Sequence, residues 1–125
     1  MTGSAIVLFA HGSREPDWVR PFEQLRDRVA RELGRESVDL AFLEHTPPGL
    51  EETIAGLYAR GVRRISVVPL FLAAGGHLKR DLPRMLEEIV RRHPGLSARA
   101  TPPLGEIDPI LESISDWIVK EHAPD

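Results

Sequence analysis

Ala5-Ile6-Val7-Leu8-Phe9-Ala10 is a short, unbroken apolar run with no alternation of polar residues. Such a run marks a strand buried on both faces, the kind found inside a parallel sheet. The next segment decides the fold class. From Pro16 to Leu33, the residues Trp18, Phe22, Leu25, Val29 and Leu33 recur at helical spacing and form one apolar stripe. Pro16 suits a first helical turn, and Gly34 suits a left-handed cap at the end.

The same strand-then-helix unit recurs along the chain. Residues 38–43 (VDLAFL) read as a second strand, and Leu50 to Arg60 as a helix with Gly61 as its stop. Ile65 to Leu70 reads as a third strand, followed by a helix over Lys79 to Arg92 with Leu82, Met85, Leu86, Ile89 and Val90 inward. A weak fourth strand near Leu96 to Thr101 precedes a last helix, Pro109 to Glu121, carrying Ile110, Leu111, Ile114, Trp117 and Ile118. Alternation with short connections implies an α/β three-layer sandwich, a parallel sheet with helices on both faces. Right-handed crossovers favour the strand order 2-1-3-4. Neither a repeat nor a linker interrupts the pattern, so residues 1–125 are expected to form a single domain.

Composition narrows the function. Sixteen Lys and Arg against nineteen Asp and Glu give a net charge of −3, without the basic surplus of a nucleic-acid binder. The absence of cysteine excludes disulfide scaffolds, thiolate metal sites and cysteine nucleophiles. The apolar stretches Ala5–Ala10 and Ser66–Ala74 are too short to span a bilayer, and the N-terminus lacks the basic-then-apolar pattern of a secretion signal. The expectation is a cytoplasmic globular protein without a membrane or nucleic-acid partner.

The unusual residues fall just after the strands: His11-Gly12-Ser13-Arg14, then Glu44-His45, then Phe71 to His77 (FLAAGGH). In an open parallel sheet, ligands bind beyond the carboxyl ends of the strands where the strand order reverses. The order 2-1-3-4 would therefore bring His11, Glu44 and His77 to one edge. Two imidazoles and a carboxylate can bind a divalent first-row metal exchangeably, since no thiolate holds it. Imidazole is also the side chain that titrates near neutral pH. Gly12, Gly75 and Gly76 permit sharp turns and close approach of something bulky. Arg14, Lys79 and Arg80 make the rim cationic, which suits a substrate bearing carboxylates.

The stretches Ala10 to Arg14, Val38 to Glu44 and Val67 to Asp81 (VVPLFLAAGGHLKRD) resemble the small sirohydrochlorin chelatases of CbiX and SirB type. The resemblance runs over nearly the whole chain, including Pro102-Pro103-Leu104-Gly105. It implies a chelatase-like fold that inserts Co²⁺ or Fe²⁺ into the tetrapyrrole sirohydrochlorin, toward cobalamin or sirohaem. It also implies that His11 and His77 are the metal-binding histidines and Glu44 the acidic partner, as ligand or proton acceptor. The metal (Co²⁺, Fe²⁺ or Ni²⁺) is then a substrate, and no cofactor is permanently bound. Long members of the family carry two such domains, whereas short members assemble as homodimers, so a homodimer is expected here. Ser13, Gly75, Gly76, Arg14, Lys79 and Arg80 become the candidate substrate-binding residues.

Other readings stand beside this one. The same two histidines would serve a non-catalytic carrier of divalent metal or tetrapyrrole. Ser13 has no base and buried carboxylate spaced to activate it as a nucleophile. Histidine phosphatases place Arg immediately before their His-Gly pair, where this chain has Ala10. His45 is expected to point away from Glu44 if strand alternation continues, as a rim residue. His93 and His122 are expected to be structural or exposed. Phe71, Leu72, Ala73 and Ala74 fit a core, a dimer interface or an apolar wall beside a flat macrocycle equally well.

Overall fold

The computed structural model describes residues 3–34 and 37–124. Four strands, β1 (Gly3–Ala10), β2 (Ser37–Phe42), β3 (Val62–Pro69) and β4 (Ser97–Ala100), form one parallel sheet in the order β2-β1-β3-β4. The helices are α1 (Arg20–Leu33), α2 (Leu50–Ala59), α3 (Gly76–Arg92) and α4 (Asp108–His122). The expected fold class and strand order are thus the observed ones.

Two apolar clusters divide the core between the faces of the sheet. One face joins Ala5, Val7 and Phe9 of β1 with Ile65 and Val67 of β3, under Ile54 and Leu57 of α2 and Leu82, Leu86 and Ile89 of α3. Residues of alternate parity, Leu8 and Ala10 with Val38, Leu40 and Phe42, meet Trp18 of the turn before α1 and Phe22, Val29 and Ala30 of α1 on the opposite face. Period-2 alternation in β1 therefore feeds both layers, which is why the run had to be apolar throughout. Thr53, a polar residue buried in α2, donates its hydroxyl to the Leu40 carbonyl.

Two helix starts and the exposure of α4 depart most from the sequence reading, and β3 runs Val62–Pro69 rather than from Ile65 to Leu70. The first helix is split: Pro16–Val19 is a 3₁₀ turn and α1 begins at Arg20. Pro21 cannot donate to the Asp17 carbonyl, which instead accepts the Arg20 N–H at the tighter spacing. α3 starts at Gly76, three residues before the expected Lys79, so His77 lies inside its first turn rather than in the preceding loop. Gly75 is extended there, and its carbonyl accepts the Lys79 N–H that closes the turn. Finally, the apolar stripe of α4 is not part of either core cluster, and Leu111, Ile114, Trp117 and Ile118 are exposed.

Candidate functional site

The carboxyl edge of the sheet is built by carrying the β1–β2 ladder past the strand ends. The Leu43 N–H donates to the Ala10 carbonyl (2.9 Å) and the Glu44 N–H to the His11 carbonyl (3.0 Å). Two turns therefore run side by side, one carrying His11 and the other Glu44. Gly12 makes this possible. Its φ is +93°, and a Cβ there would lie 1.7 Å from the Glu44 carbonyl oxygen. No other residue fits that position without moving the chain.

Thr46 ties the same two turns together, its hydroxyl accepting the Ser13 N–H (2.9 Å) and donating to the Ser13 carbonyl (2.8 Å). The Ser13 hydroxyl accepts the Glu15 N–H (3.1 Å). Ser13 is thus engaged within its own turn. Thr46 escaped the sequence reading because a lone Thr before Pro-Pro carries no motif.

His11 projects from the end of β1 with its ring against Phe71, centroids 4.4 Å apart. Phe71 is itself buried (4% exposed) and packs edge-on against Phe9 in the core, with centroids 5.8 Å apart. It is core, and the core's upper surface is the seat of His11. His77 stands on the exposed first turn of α3, beyond the carboxyl end of β3, the other neighbour of β1.

Glu44 and His45 do not behave as strand alternation would have it. His45 has φ +67°, a left-handed conformation that ends the alternation. Its Nε2 lies 3.7 Å from Glu44 Oε1, so the two side chains face one another instead of diverging. Its Nδ1 accepts the Arg14 Nε–H at 3.3 Å. The rim residue His45 therefore links the Arg14 guanidinium to the Glu44 carboxylate. Among the described residues, no three His, Asp or Glu side chains are gathered into a metal-holding group.

On the α3 side of this edge, a groove of about 320 Å³ runs between Phe71, Leu78 and Lys79 and the segment after β4. That segment supplies Thr101, Pro103 and Glu106. The Thr101 hydroxyl is buried in its wall and has no hydrogen-bond partner. Arg80 folds back, its Nε donating to the Gly76 carbonyl at 3.3 Å. A Cβ at Gly75 would meet nothing within 4 Å, so Gly75 faces open space and its φ of −65° makes no demand for glycine. Of the three glycines expected to shape the site, steric need is confined to Gly12. His93 and His122 each place Nδ1 at 2.7 Å from a carbonyl one turn back, those of Ile89 and Ile118, the structural role expected of them.

Residues 5–120 match the CbiX family. The chain belongs to that family. Sirohydrochlorin cobaltochelatase of Saccharolobus islandicus (strain L.S.2.15 / Lassen #1) is 40% identical over 83 residues, covering 65% of this chain and 62% of that protein. The Methanosarcina acetivorans protein of the same name is 38% identical over 81 residues, again covering 65% and 62%. The chain thus spans under two thirds of the length of the curated relatives it matches. Among solved structures, a CbiX protein from Marinobacter aquaeolei VT8, provisionally assigned to cobalamin (vitamin B12) biosynthesis, superposes with a TM-score of 0.82. It is 34% identical, and the match covers 94% of this chain and 96% of that one. SirB from Bacillus subtilis, solved with Fe³⁺, shares the fold at a TM-score of 0.81 and 22% identity, with 98% of this chain covering 49% of SirB. In this CbiX-family protein the His11 turn and the α3 start carrying His77 both lie within the matched residues.

Proposed function

We propose that this protein is a sirohydrochlorin chelatase, inserting Co²⁺ or Fe²⁺ (or Ni²⁺) into the tetrapyrrole. The observation that carries the proposal is the origin of His11 and His77 at the carboxyl ends of the adjacent strands β1 and β3, where the strand order turns back. The curated relatives named sirohydrochlorin cobaltochelatase support the same substrate class.

Metallation replaces two pyrrole N–H protons with one divalent ion, so two protons leave for each metal inserted. The protein must present a partly dehydrated ion and accept protons while holding the metal loosely enough to release it. Neutral His11 and His77 present the ion from one side of the macrocycle. Glu44 either helps to bind it or takes up a pyrrole proton. Arg14, Lys79 and Arg80 pair with the substrate's carboxylates. Ser13 shapes the turn that presents Arg14, and the open space at Gly75, beside Gly76, admits the macrocycle's edge. The chain works as one domain, residues 1–125, in a cytoplasmic homodimer, with sirohaem or cobalamin as the route its product enters.

A non-catalytic carrier of metal or tetrapyrrole would use the same histidines. An anaerobic assay with purified protein, sirohydrochlorin and Co²⁺ or Fe²⁺ separates the two. Many turnovers above the spontaneous rate support the chelatase, and stoichiometric binding without turnover overturns it in favour of the carrier.

A further inference from the structure

α4 is a well-formed helix with almost nothing beneath it. Its extensive contacts are confined to the short 3₁₀ turn Leu104–Glu106 that precedes it. Yet Ile110, Leu111, Ile114, Trp117 and Ile118 recur at helical spacing on one side, and Trp117 is 61% exposed. An isolated helix of this length is marginal in water, and a contiguous exposed apolar stripe ordinarily marks a surface that something covers.

The sheet carries a matching deficit. α2 and α3 cover one face across β1 and β3. On the other face α1 packs over β2 and the adjoining part of β1. Val68 of β3 joins that cluster, but among the described residues nothing covers the amino-terminal part of this face across β1, β3 and β4. There the rows Ser4–Arg64–Ser97 and Ile6–Ser66–Arg99 are in register, and they line one shallow depression. A chain returning from β4 in a right-handed fold would set its last helix over that strip. α4 is instead carried away. The Leu104 N–H donates to the Phe71 carbonyl (2.9 Å) and the Gly105 N–H to the Leu72 carbonyl (2.7 Å). A Cβ on Gly105 would sit 2.0 Å from the Leu72 oxygen, so this strap is pressed onto the loop after β3.

We infer that α4 of one copy covers the bare β1–β3–β4 strip of a second copy, and the reverse, in a reciprocal helix exchange. Charge favours this occupant. The strip presents Arg64 and Arg99 with no carboxylate among its lining residues, whereas α4 carries Asp108, Glu112, Asp116 and Glu121 against Lys120. One sequence thus makes both an acidic amphipathic helix without a seat and a basic seat without a helix. The inference rests on the homodimer proposed above for the identity of the partner, and is independent of the metal chemistry.

The chain contains no cysteine, so single thiols report cleanly. Tagged chains carrying Ser66→Cys are mixed with untagged chains carrying Ile114→Cys, allowed to exchange subunits, and joined with a short bis-maleimide. The expected product is a mixed dimer holding one of each. Trp117→Lys in the full-length chain is expected to weaken dimerisation about tenfold or more by sedimentation, with unchanged far-ultraviolet CD. Arg64→Glu, on a strand surface that faces no core, is expected to weaken it in the same direction. A dimer in which Ile114→Cys chains join only to one another means helix-on-helix packing and overturns the exchange while leaving the homodimer standing. A cross-link found only within single chains carrying both substitutions overturns it in favour of closure on the chain's own sheet. A monomer at all concentrations overturns the exchange and the homodimer together.

Discussion

The imidazole of His11 rests on the ring of Phe71, with the two planes inclined by 54°, and Phe71 in turn stands edge-on against Phe9. A candidate ligand is therefore held by the core rather than by a hydrogen bond to a neighbouring carboxylate. Phe71→Leu is expected to cost about 1–2 kcal/mol in urea unfolding, the penalty of an imperfect refill of a buried aromatic site. It is expected to lower kcat for metal insertion several-fold while leaving the macrocycle KM nearly unchanged. Wild-type kcat in a folded Phe71→Leu protein would reduce Phe71 to simple filling.

His11→Ala and His77→Ala are each expected to abolish most turnover. Both side chains are exposed, so the far-ultraviolet CD and the unfolding midpoint are expected to stay within the range of ordinary surface changes, about 0.5 kcal/mol. Unfolding of both variants, with normal chemistry in any folded residue, would assign the histidines to structure instead.

Gly12→Ala and Gly75→Ala make a contrasting pair. At Gly12 the new methyl collides with the Glu44 carbonyl at a φ of +93°, so about 2 kcal/mol or more of stability is expected to be lost. At Gly75 it enters open space at an ordinary φ, and the change is expected to stay within about 1 kcal/mol. Chemical denaturation of the two variants measures both. Equal stability would mean that the His11 and Glu44 turns slide apart freely.

Arg14 lies on the exposed rim and touches His45 through Nε. Arg14→Ala is expected to raise the KM for the tetrapyrrole, with a smaller change in kcat and none in stability. Steady-state kinetics over a range of macrocycle concentrations decides this, and an unchanged KM would remove Arg14 from the substrate site.

Much of the architecture could be read in advance, because buried parallel strands and one-sided helices leave different periods in a sequence. Continuous runs such as Ala5–Ala10 betray the sheet, and the handedness of crossovers orders it. That order also set the expectation that His11, Glu44 and His77 share one edge, where the described residues gather no three such side chains into a metal-holding group. The finer geometry did not. Two consecutive glycines disguised the start of α3, since glycine is a poor helix former, and His77 turned out to be helical. The left-handed backbone of His45 depends on the turn locked by Thr46 and Gly12, a tertiary arrangement with no local signature. The stripe on α4 told that a cover was needed but carried no address for it.

The two core clusters are assembled without His11, Glu44, His77, Arg14 or Lys79. Folding and chemistry are thus written in separate sets of atoms, joined chiefly through one aromatic ring. Donor identity at the rim is consequently open to wholesale replacement, carboxylate for imidazole or the converse, on a scaffold whose melting behaviour hardly registers the exchange. On the proposed chemistry, such a chain is well suited to being retuned from one metal ion to another.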